Sequence, residues 1–508
     1  MRSRILIFGT GAGGQHAFKM FDSNHKIIGF LDNNATKHGA KFNTIPVYDP
    51  QILPSLQFER IVIASDYYKD ILSQLTNELN IDENVIDIFH SAAHKAPKLT
   101  TRLKIWLQQL IFENICSSNQ LISVCLLWLN KDIKKNFDVK NINWLDKIEK
   151  DVICTFRDNA EMTVHSPAFV DKDKHRKVIK LPAVRAYHFH NGGISTNSNS
   201  IQIDNKIIIS RVPSTNIVTS DYSSGHLAFH GQKRGLIKKS KLKAISKGVA
   251  ITGSSDTNYY HWLLEVLSKT QYINHLPSEY KDFPILISEQ AQKIESIRVF
   301  LNHIETTRNI IYLSSTEVYQ VSNLIFISSP NYLVPNLKGR MSFSMSDNYT
   351  RLGSILYLRD IGEKIAKAHA KSEKTPKRVF LARKPYIRRY NQNQVESLLN
   401  QYNFKSIYLE DLTLSEQVTL ISQAEYIVGP TGAAWTNLIF AQKGVKALCW
   451  MAEEYGDLTC FSTIAEQLEI DLVFLTYKNN AKSTRETYYH PYSVDITKIQ
   501  SWLLDQVK

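Results

Sequence analysis

The fold of this chain is read most directly from residues 426–440, YIVGPTGAAWTNLIF. A short apolar strand ends at Gly429, the chain turns through Thr431 and Gly432, and an apolar helix begins at Ala433. A strand that turns into a helix leaves unpaired backbone N–H groups at the positive end of the helix dipole. We therefore predict a phosphate or diphosphate site at Gly429, Thr431, Gly432 and Ala433. On their own, the two glycines would indicate only a tight turn.

The region around this stretch, residues 346–508, alternates strands with helices. A long helix is predicted over about 346–370, followed by strands at Val379–Ala382, Ser406–Leu409, Ala424–Gly429, Ala447–Trp450 and Leu472–Thr476, with helices near 392–402, 414–423, 433–441, 456–468 and 494–506. This alternation predicts a doubly wound parallel sheet, in which ligands bind beyond the carboxyl ends of the strands. Arg383, Arg388, Arg389 and Asn391 follow the first strand, so the arginines are candidates for binding a diphosphate. A solvated basic loop is the alternative.

Residues 151–345 are predicted to be rich in strands first and then to alternate strands with helices. Asn258 to Leu267 is a predicted helix after a loop of capping residues. His261 and Glu265 are four residues apart and would share one face. A carboxylate that orients a neighbouring imidazole suits a general base, although the same spacing also occurs in simple surface contacts.

Residues 1–92 are predicted to form a small βαβ domain. Gly9, Gly11 and Gly14 form a GxGxxG sequence between a strand and a helix, and Asp32 ends the next strand. This context predicts a nucleotide site, with Asp32 near a ribose hydroxyl. A nucleotide-shaped domain kept only for packing is the alternative.

Residues 93–150 are predicted to be a helical connector, because apolar residues recur at helical spacing before a lysine-rich end. Such a basic amphipathic segment suits either packing on a neighbouring domain, which we favour, or contact with an anionic membrane. Two histidine pairs, His188 with His190 and His226 with His230, lack a third spaced ligand, so no metal site is predicted. The DxD sequence Asp171-Lys172-Asp173 is interpreted as a solvated loop.

Composition narrows the functional classes. The chain has 508 residues, a net charge of +13 and five scattered cysteines without a CxxC pair. Its length predicts two or three domains, and its charge predicts an anionic partner. The cysteine pattern fits a reducing compartment. We find no signal peptide and no apolar run long enough to span a bilayer, so we expect a cytoplasmic protein, with the inner face of the membrane as a place of contact.

Two resemblances extend these predictions. The sequence GFLDNN at residues 29–34 and IPVY at 45–48 resembles Rossmann-like domains at the N-termini of sugar-nucleotide acyltransferases. In such domains the glycine loop often holds a nucleotide-sugar, which here would be a second nucleotide ligand, rather than a redox cofactor.

The larger resemblance covers roughly residues 180–455 and is to glycosyltransferase family 61, which includes capsular polysaccharide proteins. It rests on three blocks: NYYHWLLE at residues 258–265, Arg383 with RRYN at 388–391, and LSEQ at 414–417 leading to GPTGAAWTN at 429–437. The resemblance implies an α/β GT-B fold of two Rossmann-type halves, here residues 151–345 on the acceptor side and 346–508 on the donor side. It also implies inverting transfer from a nucleotide-sugar, with a UDP-sugar expected first, and no metal or other cofactor.

The resemblance also implies roles for the candidate residues. His261 or Glu265 would be the base, the three arginines would stabilise the leaving diphosphate, and Asn437 would orient backbone or ligand. The acceptor would be a capsular, exo- or lipopolysaccharide of a bacterial cell surface, or a lipid-linked glycan. The chain departs from the family at three positions: the family more often has histidine at Thr431, a leucine-like residue at Trp435 and glutamate at Gln392.

Two other functional classes stay open. The first is an NAD-dependent or nucleotide-sugar-modifying enzyme that acts through the N-terminal GxGxxG domain. The second is a non-catalytic module that binds an anionic polymer. Nucleic acid is not an expected partner, because no RNP-like aromatic motif, zinc finger or dense arginine helix is present.

Overall fold

We describe the chain from a computed structural model. The description covers residues 3–22, 25–65, 68–89, 107–108, 110–116, 125–126, 128–170, 174–210, 220–334, 337, 342–368, 375–384, 388–481, 487 and 490–507. The chain divides into two compact units. Unit 1 comprises Met1–Trp106 and Lys384–Arg389, and unit 2 comprises Leu107–Arg383 and Tyr390–Lys508.

Unit 1 contains a six-stranded sheet in the order β3-β4-β2-β1-β5-β6. Its strands are Arg4–Phe8 (β1), Lys26–Leu31 (β2), Lys41–Phe42 (β3), Ile45–Tyr48 (β4), Arg60–Ile63 (β5) and Ile86–Ile88 (β6). All neighbouring strands are parallel except the β3–β4 pair. The helices are Ala12–Phe21 and Tyr68–Ser73, with short helical turns at Ala35–Lys37, Pro50–Ser55, Gln74–Glu78 and Glu83–Val85. The βαβ prediction for this region is confirmed.

The glycine loop of unit 1 is shaped by close backbone contacts. Gly9 has a φ of +112°, which L side chains rarely adopt. A Cβ on Gly14 would lie 1.9 Å from the carbonyl oxygen of Gly9, so only glycine lets the helix start this close to β1. Gly11 has no neighbouring atom within 4 Å of a Cβ built on it.

Gly14 and Gly11 give a matched pair of variants. We expect Gly14→Ala to destabilise unit 1 by about 3 kcal/mol, at the upper end of overpacking costs. Gly11→Ala should change stability by less than about 0.5 kcal/mol, because its site is open and its φ is negative. Hydrogen–deuterium exchange of peptides from β1, compared with peptides from residues 446–452 of unit 2, measures the local effect. Equal exchange in both variants would contradict the packing argument.

The N-terminal part of unit 2 is built on an eleven-stranded mixed sheet. The strands of this part are Phe137–Trp144 (β7), Val152–Arg157 (β8), Ala160–His165 (β9), Arg176–Leu181 (β10), Val184–Ile194 (β11), Ser200–Ile203 (β12), Lys206–Ile209 (β13), Leu227–His230 (β14), Arg234–Lys238 (β15), Leu242–Ile251 (β16), Ile285–Ser288 (β17), Ile310–Leu313 (β18), Val318–Ile327 (β19), Tyr332–Leu333 (β20) and Asn348–Tyr349 (β21). The large sheet has the order β14-β15-β7-β13-β12-β11-β19-β16-β17-β18, with β8 also paired to β11. Strands β19, β16, β17 and β18 are mutually parallel.

The helical segments of this part are α-helices Lys131–Asn136, Tyr259–His261, Gln290–Lys293 and Glu295–Asn302, a π turn Trp262–Val266, and 3₁₀ helices Leu145–Lys147, Leu267–His275 and Ser278–Tyr280. Strands β12 and β13 form a hairpin around Asp204, whose φ is +47°.

The prediction of a helical connector over residues 93–150 is wrong near its C-terminal end. Residues 137–144 form strand β7, which lies between β13 and β15 inside the large sheet. Phe137 and Val139 alternate with the polar residues Asp138 and Lys140, and this period of two suits a paired strand. Because neighbouring strands on both sides satisfy its backbone groups, pairing outweighs the helical pattern that precedes it.

The C-terminal part of unit 2 is a five-stranded sheet in the order β23-β22-β24-β25-β26. Its strands are Arg378–Leu381 (β22), Lys405–Ile407 (β23), Tyr426–Pro430 (β24), Lys446–Ala452 (β25) and Asp471–Tyr477 (β26), and all neighbours are parallel. The helices are Leu352–Ala368, Gln392–Gln401, Leu414–Gln423, Cys460–Gln467 and Ile496–Gln506, with 3₁₀ helices at Leu409–Asp411, Ala433–Phe440 and Glu453–Tyr455. The predicted parallel sheet and its alternation with helices are confirmed.

Local sequence explains several of these helices. Thr413 and Glu416 form a capping box at the start of Leu414–Gln423, and Asp495 caps Ile496–Gln506. One apolar core contains residues of both the parallel strands β16, β17 and β19 and the C-terminal sheet. The chain therefore has a mixed α/β fold with parallel and mixed sheets. In the described part, no helix combines the length and apolar character that a membrane crossing requires.

Candidate active site

The helical segment after β16 begins at a capped residue. The side-chain oxygen of Asn258 accepts a hydrogen bond from the backbone N–H of Tyr260 at 3.0 Å, which starts the helix. The segment then passes through the π turn Trp262–Val266, a feature often found at functional sites. This local change of pitch lies between the two predicted catalytic residues, His261 and Glu265.

His261 and Glu265 are in direct contact. The Nδ1 atom of His261 lies 3.1 Å from Oε1 of Glu265, and the same oxygen accepts the backbone N–H of Leu333 at 2.8 Å. Glu265 is 2% exposed. A carboxylate only accepts hydrogen bonds, so this contact places a proton on Nδ1 and leaves Nε2 of His261 as an acceptor. Nε2 has no hydrogen-bond partner among the described residues.

The pair lies at a topological switch point of the parallel strands. The chain runs from β16 to β17 and β18 and then returns to β19 on the other side of β16. Ligands of such sheets bind where the strand order reverses. The loop after β16 leads to His261, while the segment after β19 supplies the Leu333 N–H and the Ser329 hydroxyl that donates to the Glu265 carbonyl oxygen.

A buried lysine lies one helical turn beyond Glu265. Lys269 is fully buried, and its Nζ donates to the carbonyl oxygen of Thr252 at 2.7 Å and lies 5.0 Å from the centre of the Phe326 ring. Burial lowers the pKa of Lys269 to about 8, and the negative charge of Glu265 opposes this shift. Sequence reasoning missed this residue, although its i+4 spacing from Glu265 is visible.

The glycine turn of residues 429–432 depends on two close approaches. A Cβ on Gly429 would lie 2.9 Å from Cβ of Leu381 on the neighbouring strand β22. A Cβ on Gly432 would lie 2.9 Å from Nη2 of Arg383. Glycine at these positions therefore lets β24 pack against β22 and lets the guanidinium lie against the turn.

Arg383 and the turn meet at the second switch point. The C-terminal strand order reverses between β22 and β24, and Arg383 follows β22 while the turn follows β24. Nη2 of Arg383 donates to the carbonyl oxygen of Thr431 at 2.8 Å, and its backbone N–H donates to Oε1 of Gln392 at 2.9 Å. Nη1 is buried and has no hydrogen-bond partner among the described residues. The eight-residue helix that begins at Ala433 adds the positive end of its dipole.

Thr431 is 4% exposed, and its backbone N–H donates to the carbonyl oxygen of Trp450 at 2.8 Å. Burial raises the pKa of the adjacent Cys449 thiol, and a hydrogen bond with the Thr431 side chain opposes that shift. Trp435 is fully buried and donates its indole N–H to the carbonyl oxygen of Pro430 at 2.9 Å. Two of the departures from the family pattern therefore lie in the packed interior below the turn.

A buried bridge joins the two blocks. The hydroxyl of Tyr259 donates to Oδ1 of Asn437 at 2.8 Å, and Nδ2 of Asn437 donates to Oε1 of Gln417 at 3.1 Å. Asn437 is 1% exposed. The structure thus places Asn437 between protein groups, where it ties the helix of His261 to the helix that follows the glycine turn. Tyr259 and Gln417 lie in the sequence blocks that carry the family resemblance, but no role was predicted for either residue.

Removal of one hydroxyl tests this bridge. We expect Tyr259→Phe to lower the free energy of unfolding by about 1–3 kcal/mol, because Oδ1 of Asn437 stays buried without a partner. Urea denaturation followed by tryptophan fluorescence measures the change, since Trp262 and Trp435 are buried in the two joined helices. Tyr312→Phe is the matched control, because no described residue bonds that hydroxyl. Equal stability of the two variants would contradict the role of the bridge.

The other predicted donor-binding residues have structural partners. Arg388 and Arg389 belong to unit 1, where Nη1 of Arg389 lies 2.5 Å from Oδ1 of Asp87. Asn391 binds the backbone of Val494 twice, with its Oδ1 accepting at 2.8 Å and its Nδ2 donating at 3.0 Å. The predicted contacts of Arg389 and Asn391 with the donor stay a prediction.

In the N-terminal site, Asp32 is engaged by its own domain. Its Oδ2 atom accepts the backbone N–H of Thr10 at 3.2 Å and the ammonium group of Lys37 at 2.9 Å. Burial raises the pKa of Asp32, but hydrogen bonds from Thr10 and Lys37 outweigh it and the net pKa is lowered. A ribose hydroxyl at this carboxylate would therefore compete with contacts that already fix the loop of Gly9, Gly11 and Gly14.

The histidine pairs have other partners. The buried His226 contacts the Ser195 and Ser200 hydroxyls at 2.7 and 3.2 Å, and burial lowers its pKa to about 4. Nε2 of His230 accepts the backbone N–H of Tyr222 at 2.9 Å. Over the described part of the chain, no group of three His, Cys, Asp or Glu side chains is placed to hold a metal ion. The DxD sequence at 171–173 lies outside the described residues.

A cavity of about 750 Å³ opens elsewhere in unit 2, and none of the predicted site residues lines it. Its lining includes Glu149, Lys180, Arg185 and Tyr187. Arg185 pairs with Glu149 at 2.8 Å, so its positive charge is already matched. A lining with both signs of charge does not favour a diphosphate, and we keep the candidate site at the two switch points.

Two segments of the chain match known protein families. Residues 259–448 match the family model Glycosyltransferase 61, and residues 1–86 match the model C2185-like, N-terminal. A search of curated proteins found no match. Two solved structures are similar: UDP-D-quinovosamine 4-dehydrogenase from Vibrio fischeri (19% identity, 21% of this chain and 87% of that chain, TM-score 0.16) and RSP, a Rex-family repressor (15% identity, 23% of this chain and 64% of that chain, TM-score 0.18). At these TM-scores neither similarity supports a conclusion.

The segment that matches the glycosyltransferase model contains His261, Glu265, Arg383 and the whole glycine turn. It also contains every residue of the Tyr259–Asn437–Gln417 bridge. The chain therefore carries a glycosyltransferase 61 domain over residues 259–448, and this domain supports a glycosyltransferase.

Proposed function

We propose that this chain is an inverting glycosyltransferase that moves a sugar from a nucleotide-sugar donor to a growing polysaccharide or to a lipid-linked glycan. The polysaccharide would be a capsular, exo- or lipopolysaccharide, and the expected donor is a UDP-sugar. The observation that carries the proposal is the hydrogen bond between Tyr259 and Asn437, because it joins a general-base pair to a phosphate-binding turn inside the matched segment. A GT-B arrangement is part of the proposal, with residues 151–345 on the acceptor side and 346–508 on the donor side.

In this mechanism Nε2 of His261 takes the proton of the acceptor hydroxyl. The acceptor oxygen then forms a bond to the anomeric carbon while the bond from that carbon to the diphosphate oxygen breaks, which inverts the configuration. Glu265 is a positioning residue: it holds the proton on Nδ1 and stabilises the imidazolium that forms. We assign the base role to His261, because its ring is the more exposed of the two side chains, at 12% against 3%.

The leaving nucleoside diphosphate gains negative charge as the bond breaks. Arg383 is held against the turn by the Thr431 carbonyl oxygen and has Nη1 left for a phosphate oxygen. The backbone N–H groups at Gly432 and Ala433 add further donors at the helix start. These groups supply the charge stabilisation that a metal ion gives in other transferases, so the proposed reaction requires no metal.

The proposal extends to location and to the N-terminal domain. All five cysteines are free thiols, which suits a protein of the reducing cytoplasm. The loop of Gly9, Gly11 and Gly14 would hold a second nucleotide ligand, whose ribose would share the Asp32 carboxylate with Thr10 and Lys37. The donor contacts predicted for Arg388 and Arg389 stay a prediction.

The test is release of nucleoside diphosphate from a panel of nucleotide-sugars by the full chain. We expect slow hydrolysis of one donor, measured without added metal and with a chelator present. Loss of that hydrolysis in Arg383→Ala and His261→Ala would support the proposal and name the donor. Absence of both hydrolysis and calorimetric binding across the panel would overturn it. NAD binding by the wild type, lost in the stable variant Gly11→Ala, would then favour an enzyme acting through the N-terminal domain.

A further inference from the structure

Two large apolar side chains stand exposed beside each other in unit 2. Trp128 is 75% exposed and Leu129 is 70% exposed. Single exposed apolar residues are common. An exposed tryptophan next to an exposed leucine, however, leaves a contiguous apolar area in contact with water. Neither residue takes part in the proposed transfer reaction.

The short helix that follows this pair presents lysines to solvent. Asn130 caps the helix Lys131–Asn136 by accepting the backbone N–H of Ile133. Ile133 is buried in a small core with Ile115, Cys116 and Leu236. Because this side of the helix is packed, Lys131, Lys134 and Lys135 are left exposed. The described structure shows no ion pair for these three lysines.

A second group of lysines comes from a distant part of the sequence. Strand β15 pairs with β7 so that Lys238 lies opposite Phe137, directly after the helix. Nζ of Lys239 donates to the carbonyl oxygen of Lys134 at 2.9 Å and pairs with Asp138 at 3.4 Å. Lys241 follows within about 7 Å of Lys239 along the chain.

The result is a basic surface with an apolar edge, which we call the lysine–tryptophan surface. It consists of Trp128, Leu129, Lys131, Lys134, Lys135, Lys238, Lys239 and Lys241. Six lysines stand here against the two acidic side chains Asp132 and Asp138. The sequence alone shows only the first half of this cluster, because about a hundred residues separate its two segments.

We propose that the lysine–tryptophan surface docks the protein on an anionic lipid bilayer. Tryptophan favours the boundary between lipid headgroups and acyl chains, and lysines near an anionic surface each strengthen binding about fivefold. One weak signal rarely holds a protein on a membrane, whereas an apolar anchor combined with a basic cluster does so. This inference stands on its own and does not depend on the proposed transfer activity.

The composition of the surface favours lipid over nucleic acid. All six cationic side chains are lysines, which act as point charges, whereas arginine is the residue preferred for forked contacts to nucleic-acid phosphates. Leu129 would gain nothing from a nucleic-acid backbone but would be buried in a headgroup layer. An anionic bilayer is the partner that uses both halves of the surface.

The experiment is sedimentation of the full chain with vesicles of phosphatidylcholine containing about a third phosphatidylglycerol. We expect binding to these vesicles, little binding to pure phosphatidylcholine, and loss of binding near 1 M salt, where the Debye length is about 3 Å. Lys134→Gln with Lys135→Gln should weaken binding about 25-fold. Trp128→Ser with Leu129→Ser should weaken it at least about tenfold.

Matched variants outside the surface are the controls. Lys367→Gln with Lys405→Gln makes the same charge change at exposed lysines, and Leu504→Ser removes an apolar side chain that is 69% exposed. These variants should bind like the wild type. No binding by the wild type, or equal weakening by the control variants, would overturn the proposal. Tighter binding of a single-stranded oligonucleotide through the same lysines would instead assign the surface to nucleic acid.

Discussion

Replacement of His261 with alanine is expected to lower the rate of sugar transfer by about 10²–10⁴, the usual contribution of a general base. The Nε2 atom of His261 is the free acceptor of the pair, since Nδ1 is engaged by Glu265 at 3.1 Å. Without the imidazole, the proposed acceptor of the hydroxyl proton is lost. The loss should fall on kcat, because the donor contacts at the glycine turn stay in place.

Glu265→Gln tests the same pair through its charge. Because one Glu265 oxygen accepts from both Nδ1 of His261 and the Leu333 N–H, a glutamine oxygen at that position keeps both hydrogen bonds and the tautomer of the imidazole. The variant lacks the negative charge that stabilises the imidazolium, so we expect a loss of rate smaller than that of His261→Ala, with the protein still folded. A loss of rate caused by a residue that is 2% exposed would identify a positioning role.

The measurement is single-turnover transfer with donor binding followed by calorimetry. Unchanged donor affinity beside a large loss of rate separates catalysis from folding. His190→Ala is the matched control, because this exposed histidine lies on β11 and should leave the rate unchanged. Full activity of His261→Ala would contradict the assignment and would return the base role to another group.

The sequence predicts the C-terminal sheet well because its physical signals agree. Each strand is a short apolar run, each helix has a capping residue or an apolar period, and the connections are short. The turn at Gly429 and Gly432 was visible for the same reason. Here local preference and tertiary packing favour the same structure, so a reading of single segments is sufficient.

Other features depend on contacts that no single segment reveals. Strand β7 forms because it pairs with both β13 and β15. The helical pattern before residue 137 therefore did not predict where the helix ends. In the basic loop after β22, Arg389 pairs with Asp87, which lies about 300 residues away in sequence, and the sequence of the loop does not reveal this contact. The hydrogen bond from Tyr259 to Asn437 is equally non-local. Pairings of this kind are decided by the fold as a whole.

Removal of the Arg383 side chain is expected to cost about 10²–10³ in kcat, the usual effect of losing one preorganised donor at a developing negative charge. Arg383 is fixed before any ligand arrives, because Nη2 donates to the Thr431 carbonyl oxygen and the missing Cβ of Gly432 leaves room for the guanidinium. Within the described part of the chain, the buried Nη1 has no hydrogen-bond partner, and a diphosphate oxygen would satisfy it. Donor affinity should fall as well, since the donor's diphosphate is already charged before transfer.

Arg383→Lys separates charge from geometry. Lysine keeps the positive charge but cannot bond the Thr431 carbonyl oxygen and a phosphate oxygen at the same time with a planar fork. We therefore expect Arg383→Lys to recover only part of the activity lost in Arg383→Ala. Arg298→Ala is the control, because this exposed arginine on the helix Glu295–Asn302 has no described ion pair and should leave both constants unchanged. Full recovery in Arg383→Lys would show that charge alone suffices at the turn, while full activity in Arg383→Ala would move the diphosphate site away from it.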